Sequence, residues 1–160
     1  MNLFGNKKFY FIYLFLIFFF SSNLLALENK ILVKIEDKII TSLDVNDEIN
    51  YLQALNPNVR KLDNSTLFKI GKNSIIREKV KEIEILKNDE KIYVSEKYLN
   101  DLINSRYLRL GLNSKNEFIE YIESYNLNFK KIEKKIGIEV MWNQLIMAKY
   151  SNKINIDKEK

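Results

Sequence analysis

Residues 31–55, ILVKIEDKIITSLDVNDEINYLQAL, decide the fold. Ile31, Val33 and Ile35 alternate with Leu32 and Lys34, Glu36-Asp37-Lys38 supply a polar turn, and Ile39-Ile40-Thr41 resume β-branched character. That spacing predicts a short two-stranded hairpin. Thr41 stands three residues before Asp44, the separation at which a hydroxyl and a carboxylate cap each other's backbone amides at a helix start. Val45, Ile49, Leu52 and Leu55 follow at helical spacing and give that helix an apolar face. A hairpin of this size is marginal in water and must lie on a larger surface.

The chain downstream supplies that surface as helices. Asn56-Pro57-Asn58 makes a break, because proline disfavours helical geometry in the residue before it. Asp63-Asn64-Ser65 then offers caps for a long second helix. Its apolar stripe is Leu67, Ile70, Ser74, Ile75, Val80, Ile83 and Leu86, with Lys69, Lys72, Lys79, Glu82 and Lys87 on the other side. Ile92 and Val94 read as an extended connector, Ser95 caps a third helix through Leu110, and Gly111 suits a left-handed C-terminal turn. Ser114 and Glu117 have capping-box spacing for a short fourth helix carrying Phe118, Ile119, Tyr121 and Ile122. After a break at residues 126–128, the last helix runs from about Phe129 to Tyr150. Phe129, Ile132, Ile136, Val140 and Ile146 repeat along one face, widened by Trp142 and Leu145. The expected fold is mainly α: a five-helix domain with a small N-terminal β-hairpin.

Composition narrows the chemistry. The 160 residues contain no His and no Cys, which removes histidine bases, thiol nucleophiles, disulfides and the usual zinc ligand sets. Gly5, Gly71, Gly111 and Gly137 are scattered, so there is no glycine-rich phosphate loop. The formal charge of +5 includes Lys7 and Lys8; without them the 26 basic residues become 24 against 21 acidic. Those charges are interspersed rather than gathered on one basic face, which speaks against nucleic acid as a partner.

Residues 1–26 follow the plan of a secretory signal peptide: Lys7-Lys8, an unbroken apolar run over residues 9–20, then Ser21-Ser22-Asn23 and a small residue, Ala26. The run is shorter than the roughly 20 residues of a membrane span. Cleavage before Leu27 is the expectation, with a retained signal anchor as the alternative. Lipoprotein anchoring is excluded because there is no cysteine. The expected organisation is therefore a signal peptide over residues 1–26, one domain over 27–155 and a polar tail over 156–160, held by packing without disulfides in an oxidising compartment.

The segments VKIEDKIITSLDV, IREKVKEIEILKNDEKIYVSEKYLNDLI and LGLNSKNEFIEYIESYNLNFKKIEKKIGIEVMWNQLI occur in an order that resembles the N-terminal domain of SurA-type periplasmic chaperones. The resemblance covers nearly all of residues 31–155 and rests on a helical grammar with fixed turns, not on a catalytic motif. It implies an ATP-independent periplasmic chaperone that binds unfolded outer-membrane proteins, assists their folding, and works alongside the outer-membrane assembly machinery. Members of that family usually continue into parvulin-type prolyl isomerase domains and return a C-terminal segment to the chaperone core. No parvulin fold fits in the residues after Ile154, so no enzymatic activity, cofactor or metal is expected. The alternatives are an isomerase-family protein lacking its catalytic domain and a membrane-anchored accessory or scaffold protein.

A holdase needs an apolar, aromatic working surface, because an unfolded barrel strand presents alternating apolar side chains. Tyr98, Tyr107, Tyr121, Tyr125, Met141 and Trp142 are the candidate client-binding residues. Each has a plainer role: core packing for Trp142 and the methionine, boundary packing for the tyrosines with hydroxyls reaching water. Lys130-Lys131 and Lys134-Lys135 read as a solvated helix face balanced by Glu133 and Glu139. Glu82, Glu84, Asp89 and Glu90 read as surface charge.

Overall fold

A computed structural model of the chain describes residues 29–89 and 93–151. The expected signal peptide, the polar tail over 156–160 and part of the connector at Ile92 lie outside the described residues. Two antiparallel strands, β1 (Ile31–Ile35) and β2 (Lys38–Thr41), form the hairpin, with Val33 opposite Ile40 and a register shift between Ile31 and Val33. Glu36 turns the chain in the left-handed region at φ 51°, a conformation that is uncommon for a residue with a side chain. Ile40 is buried while Ile39 faces out, the alternation of a sheet with one covered face.

Thr41 begins α1 (Ser42–Leu55) with the reciprocal cap that its spacing predicts: its hydroxyl accepts from the Asp44 amide at 3.3 Å, and the Asp44 carboxylate accepts from the Thr41 amide at 2.8 Å. A 3-10 turn at Val59–Lys61 leads to α2 (Asn64–Asn88), capped by Asp63 accepting from the Thr66 amide at 3.0 Å. Helix α3 (Glu96–Arg109) starts at Ser95 and ends in a left-handed turn at Gly111, φ 78°, where the Leu112 amide donates to the Tyr107 carbonyl at 3.0 Å. Helix α4 (Lys115–Glu123) is capped by Ser114, although the Glu117 carboxylate accepts from the amide of Asn113 instead of that of Ser114. Asn126 makes a second left-handed turn, and α5 (Phe129–Tyr150) follows from the Asn128 cap.

Two apolar clusters hold these elements together. The hairpin lies on α1 and α2 through Ile40, Val45 and Ile75, flanked by Leu32, Val33, Ile35, Ile49 and Ile76. The larger cluster joins the end of α1 to α3, α4 and α5, with Ala54, Ile103, Phe118, Ile122, Ile132 and Ile136 at its centre. Phe118 is fully buried and meets Phe129 edge to face at 6.1 Å between ring centroids. Helices α1 and α2 approach closely at Gly71, where a Cβ would stand 2.7 Å from Ile49 Cγ1 and 3.3 Å from the Val45 carbonyl oxygen.

The apolar stripes differ from the periodic expectation in places. On α1, Ala54 and Glu48 are buried while Ile49, Leu52 and Leu55 are only half-buried. On α2, Val80 and Leu86 are exposed whereas Glu82 is 5% exposed. The reason is that α2 contacts α1, β2 and α5 on different sides, so no single stripe serves all of them.

Candidate functional site

The buried part of α5 ends at Val140. Beyond it the helix carries Met141, Trp142, Leu145 and Ile146 half-buried and Met147 68% exposed, with no acidic residue between Val140 and Tyr150. Lys149 Nζ bonds the Glu84 carboxylate at 3.1 Å, which sets this end of α5 beside the end of α2, where Leu86 is also exposed. An incompletely covered run of flexible methionine, leucine and indole side chains adapts to different apolar partners.

The six residues expected from sequence do not form one patch. Tyr107, Tyr121 and Tyr125 pack on the larger core cluster, Tyr107 against Phe118 at 6.4 Å and Tyr121 against Tyr125 at 5.3 Å between centroids. The Tyr121 hydroxyl donates to the Ala54 carbonyl at 2.6 Å and accepts from Arg60 Nη2 at 2.7 Å. Burial, together with the neighbouring Tyr125, raises its pKa above the ordinary phenol value. Tyr98 is exposed on α3. Met141 and Trp142 belong to the α5 surface described above.

Beneath that surface α5 is fixed by ion pairs to the helices it crosses. Lys135 lies between Glu48 of α1, at 2.5 Å, and Glu78 of α2, with its ammonium 4.7 Å from the centre of the Tyr51 ring. Glu48 is 2% exposed and also accepts from the Ser74 hydroxyl at 2.7 Å. Burial pulls the Lys135 ammonium toward its neutral form, but the two carboxylates outweigh it and hold its pKa above the usual lysine value. Glu82 receives Lys134 at 2.5 Å and Lys79 at 3.1 Å; burial raises its pKa, yet these two donors leave it below the ordinary carboxylate value. Lys130, Lys131 and Lys134 are exposed, as a solvated face requires, but the acids that pair with the α5 lysines lie on other helices and not within α5. Lys131 pairs with Asp47, Lys134 with Glu82 and Lys135 with Glu48 and Glu78, while Glu139 receives Lys81 and Glu133 receives Lys115.

A second feature went unremarked in the sequence. A groove of about 590 Å³ opens where the end of α1, the 3-10 turn, α3 and α4 meet. Its polar lining is Arg60, Arg106, Arg109 and Tyr121; Leu55, Pro57 and Leu110 form its apolar wall. The arginines come from two separate segments at no motif spacing, so only the three-dimensional fold gathers them.

Among the described residues no group of three or more acidic, histidine or cysteine side chains is placed to hold a metal ion, and no helix is long and apolar enough to cross a membrane. Comparison of the chain with protein-family models, curated proteins and solved structures finds no match.

Proposed function

We propose that the chain is an ATP-independent chaperone of the periplasm that holds unfolded outer-membrane proteins, the function implied by its resemblance to SurA-type N-terminal domains. The observation that supports this reading most is the α5 surface at Met141, Trp142, Leu145, Ile146 and Met147, an apolar run left partly open at the end of an otherwise ion-paired helix. Extended barrel strands offer alternating apolar side chains at low net specificity, and many weak contacts of this kind allow binding without nucleotide. Clients leave when insertion into a membrane offers greater burial. Tyr98 extends the list of exposed aromatic contacts, whereas Tyr107, Tyr121 and Tyr125 support the domain beneath.

The test is aggregation of a urea-unfolded outer-membrane β-barrel, followed by light scattering after dilution into the purified protein or into an inert protein of similar charge. Suppression at near-stoichiometric amounts that persists in moderate salt is the expected result. No suppression by a demonstrably folded sample would overturn the proposal.

A further inference from the structure

Four of the 26 basic residues are arginines, and three of those four, Arg60, Arg106 and Arg109, line one groove between α1, α3 and α4. The lysines answer acids: at least six of them meet a carboxylate of another element or turn within hydrogen-bond distance. The three arginines do not. Among the described residues none of them pairs with a carboxylate, and no acidic residue lines the groove.

Their bonds hold them in place but leave most of their donors open. Arg60 Nε donates to the Gln53 carbonyl at 2.8 Å, and its Nη2 reaches the Ala54 carbonyl and the Tyr121 hydroxyl. Its Cζ lies over Tyr125, 5.3 Å from the ring centre. Arg106 Nη1 donates to the Tyr51 hydroxyl at 3.1 Å, and Arg109 Nε to the Ser105 carbonyl of its own helix at 3.1 Å. A guanidinium carries five N–H donors, so Nη1 of Arg60, Nη2 of Arg106 and both terminal nitrogens of Arg109 retain theirs. Arg77, the fourth arginine, shows the contrast: its cavity also contains Glu48, Glu78 and Glu139.

We propose that this groove binds a phosphate monoester carried on an apolar body. Three guanidiniums lining one groove can offer donors to the three terminal oxygens of a monoester, and forked donation to such oxygens is the geometry in which arginine surpasses lysine. A dianion offsets more of the uncompensated positive charge than a single carboxylate does. Leu55, Pro57 and Leu110 supply the wall for the apolar part, and the volume lies in the range of small-ligand sites. The site is distinct from the α5 surface, so it stands or falls independently of the chaperone proposal.

The test is calorimetric titration of the purified full chain at pH 8 with phenyl phosphate and, separately, phenylacetate, repeated in R109Q, R106K and R77Q. Arg109 is exposed and bonds only its own helix, so R109Q keeps the fold, which circular dichroism checks. Saturable phenyl phosphate binding is expected, weakened about tenfold or more in R109Q and R106K, unchanged in R77Q, with phenylacetate at least tenfold weaker. Flotation with phosphatidylcholine vesicles containing or lacking phosphatidic acid separates the sources of the phosphate. The parent-minus-R109Q difference cancels any contribution from the apolar run at residues 9–20, which both chains carry. Recruitment to phosphatidic acid that depends on Arg109 identifies a lipid headgroup; dependence with phenyl phosphate alone identifies a soluble ester. Absence of Arg109-dependent binding to either probe, or equal binding of phenylacetate, would overturn the proposal.

Discussion

Replacing Lys135 by methionine tests whether the α1–α2–α5 junction is held by its buried charges. The substitution keeps a long side chain over Tyr51 but strips the ammonium from Glu48, which is 2% exposed and retains only the Ser74 hydroxyl as a donor. Removing one partner of a buried pair leaves an uncompensated charge, a loss of about 3–5 kcal/mol. For a domain of this size that lowers the melting temperature by on the order of 10–20 °C. The assay is urea unfolding followed by circular dichroism at 222 nm. E48Q/K135M, which removes both charges, should recover about 2 kcal/mol or more of that loss. The alkaline limb carries a further sign. Because the Lys135 pKa is raised in the folded state, its contribution is complete below the unfolded lysine value of about 10.4 and disappears as pH rises through the folded value. The parent should therefore lose stability there that K135M never had. A K135M unfolding free energy within about 1 kcal/mol of the parent's, or a double variant no more stable than K135M, would refute the reasoning.

Three further outcomes follow from local geometry. G71A should destabilise by about 1–2 kcal/mol in urea unfolding, because the added Cβ meets Ile49 and the Val45 carbonyl and overpacking outweighs the helix propensity of alanine. Y121F removes a donor to the Ala54 carbonyl and an acceptor for Arg60, and should cost about 1–2 kcal/mol in the same assay. The Glu82 pKa is lowered in the folded state, so its contribution is present above the unfolded value of about 4.3 and lost as pH falls through the folded one; the stability gap between parent and E82Q should close across that acid window.

Much of the fold was legible because its boundaries are written locally. Thr41 with Asp44, Asp63, Ser95, Ser114 and Gly111 each act within about a turn of chain, and each sits where its spacing placed it. The hairpin followed from β-branched residues on either side of Glu36 and Asp37. What sequence could not show was which charge meets which. Lys131, Lys134 and Lys135 have helical spacing that fits a solvated face, but their partners lie 84, 52 and 87 residues away. Glu82 looked like surface charge for the same reason; α5 covers it, and two lysines make that burial tolerable. The aromatic candidates divided according to packing. Tyr107, Tyr121 and Tyr125 became supports of the core, while Met141 and Trp142 remained partly open on α5. The arginine groove had no sequence signal, since Arg60 is brought to Arg106 and Arg109 only by the docking of the α1 end against α3 and α4.

Trp142 is the sole tryptophan of the chain and lies on the proposed client surface, so its emission reports contact there directly. The decisive measurement is titration of the purified protein with an unfolded, tryptophan-free outer-membrane β-barrel segment while Trp142 fluorescence is recorded. The account predicts a saturable blue shift as client side chains exclude water from the half-buried indole, retained in moderate salt. An emission spectrum that stays unchanged while the same client binds or aggregates freely would contradict the claim that α5 holds unfolded chains.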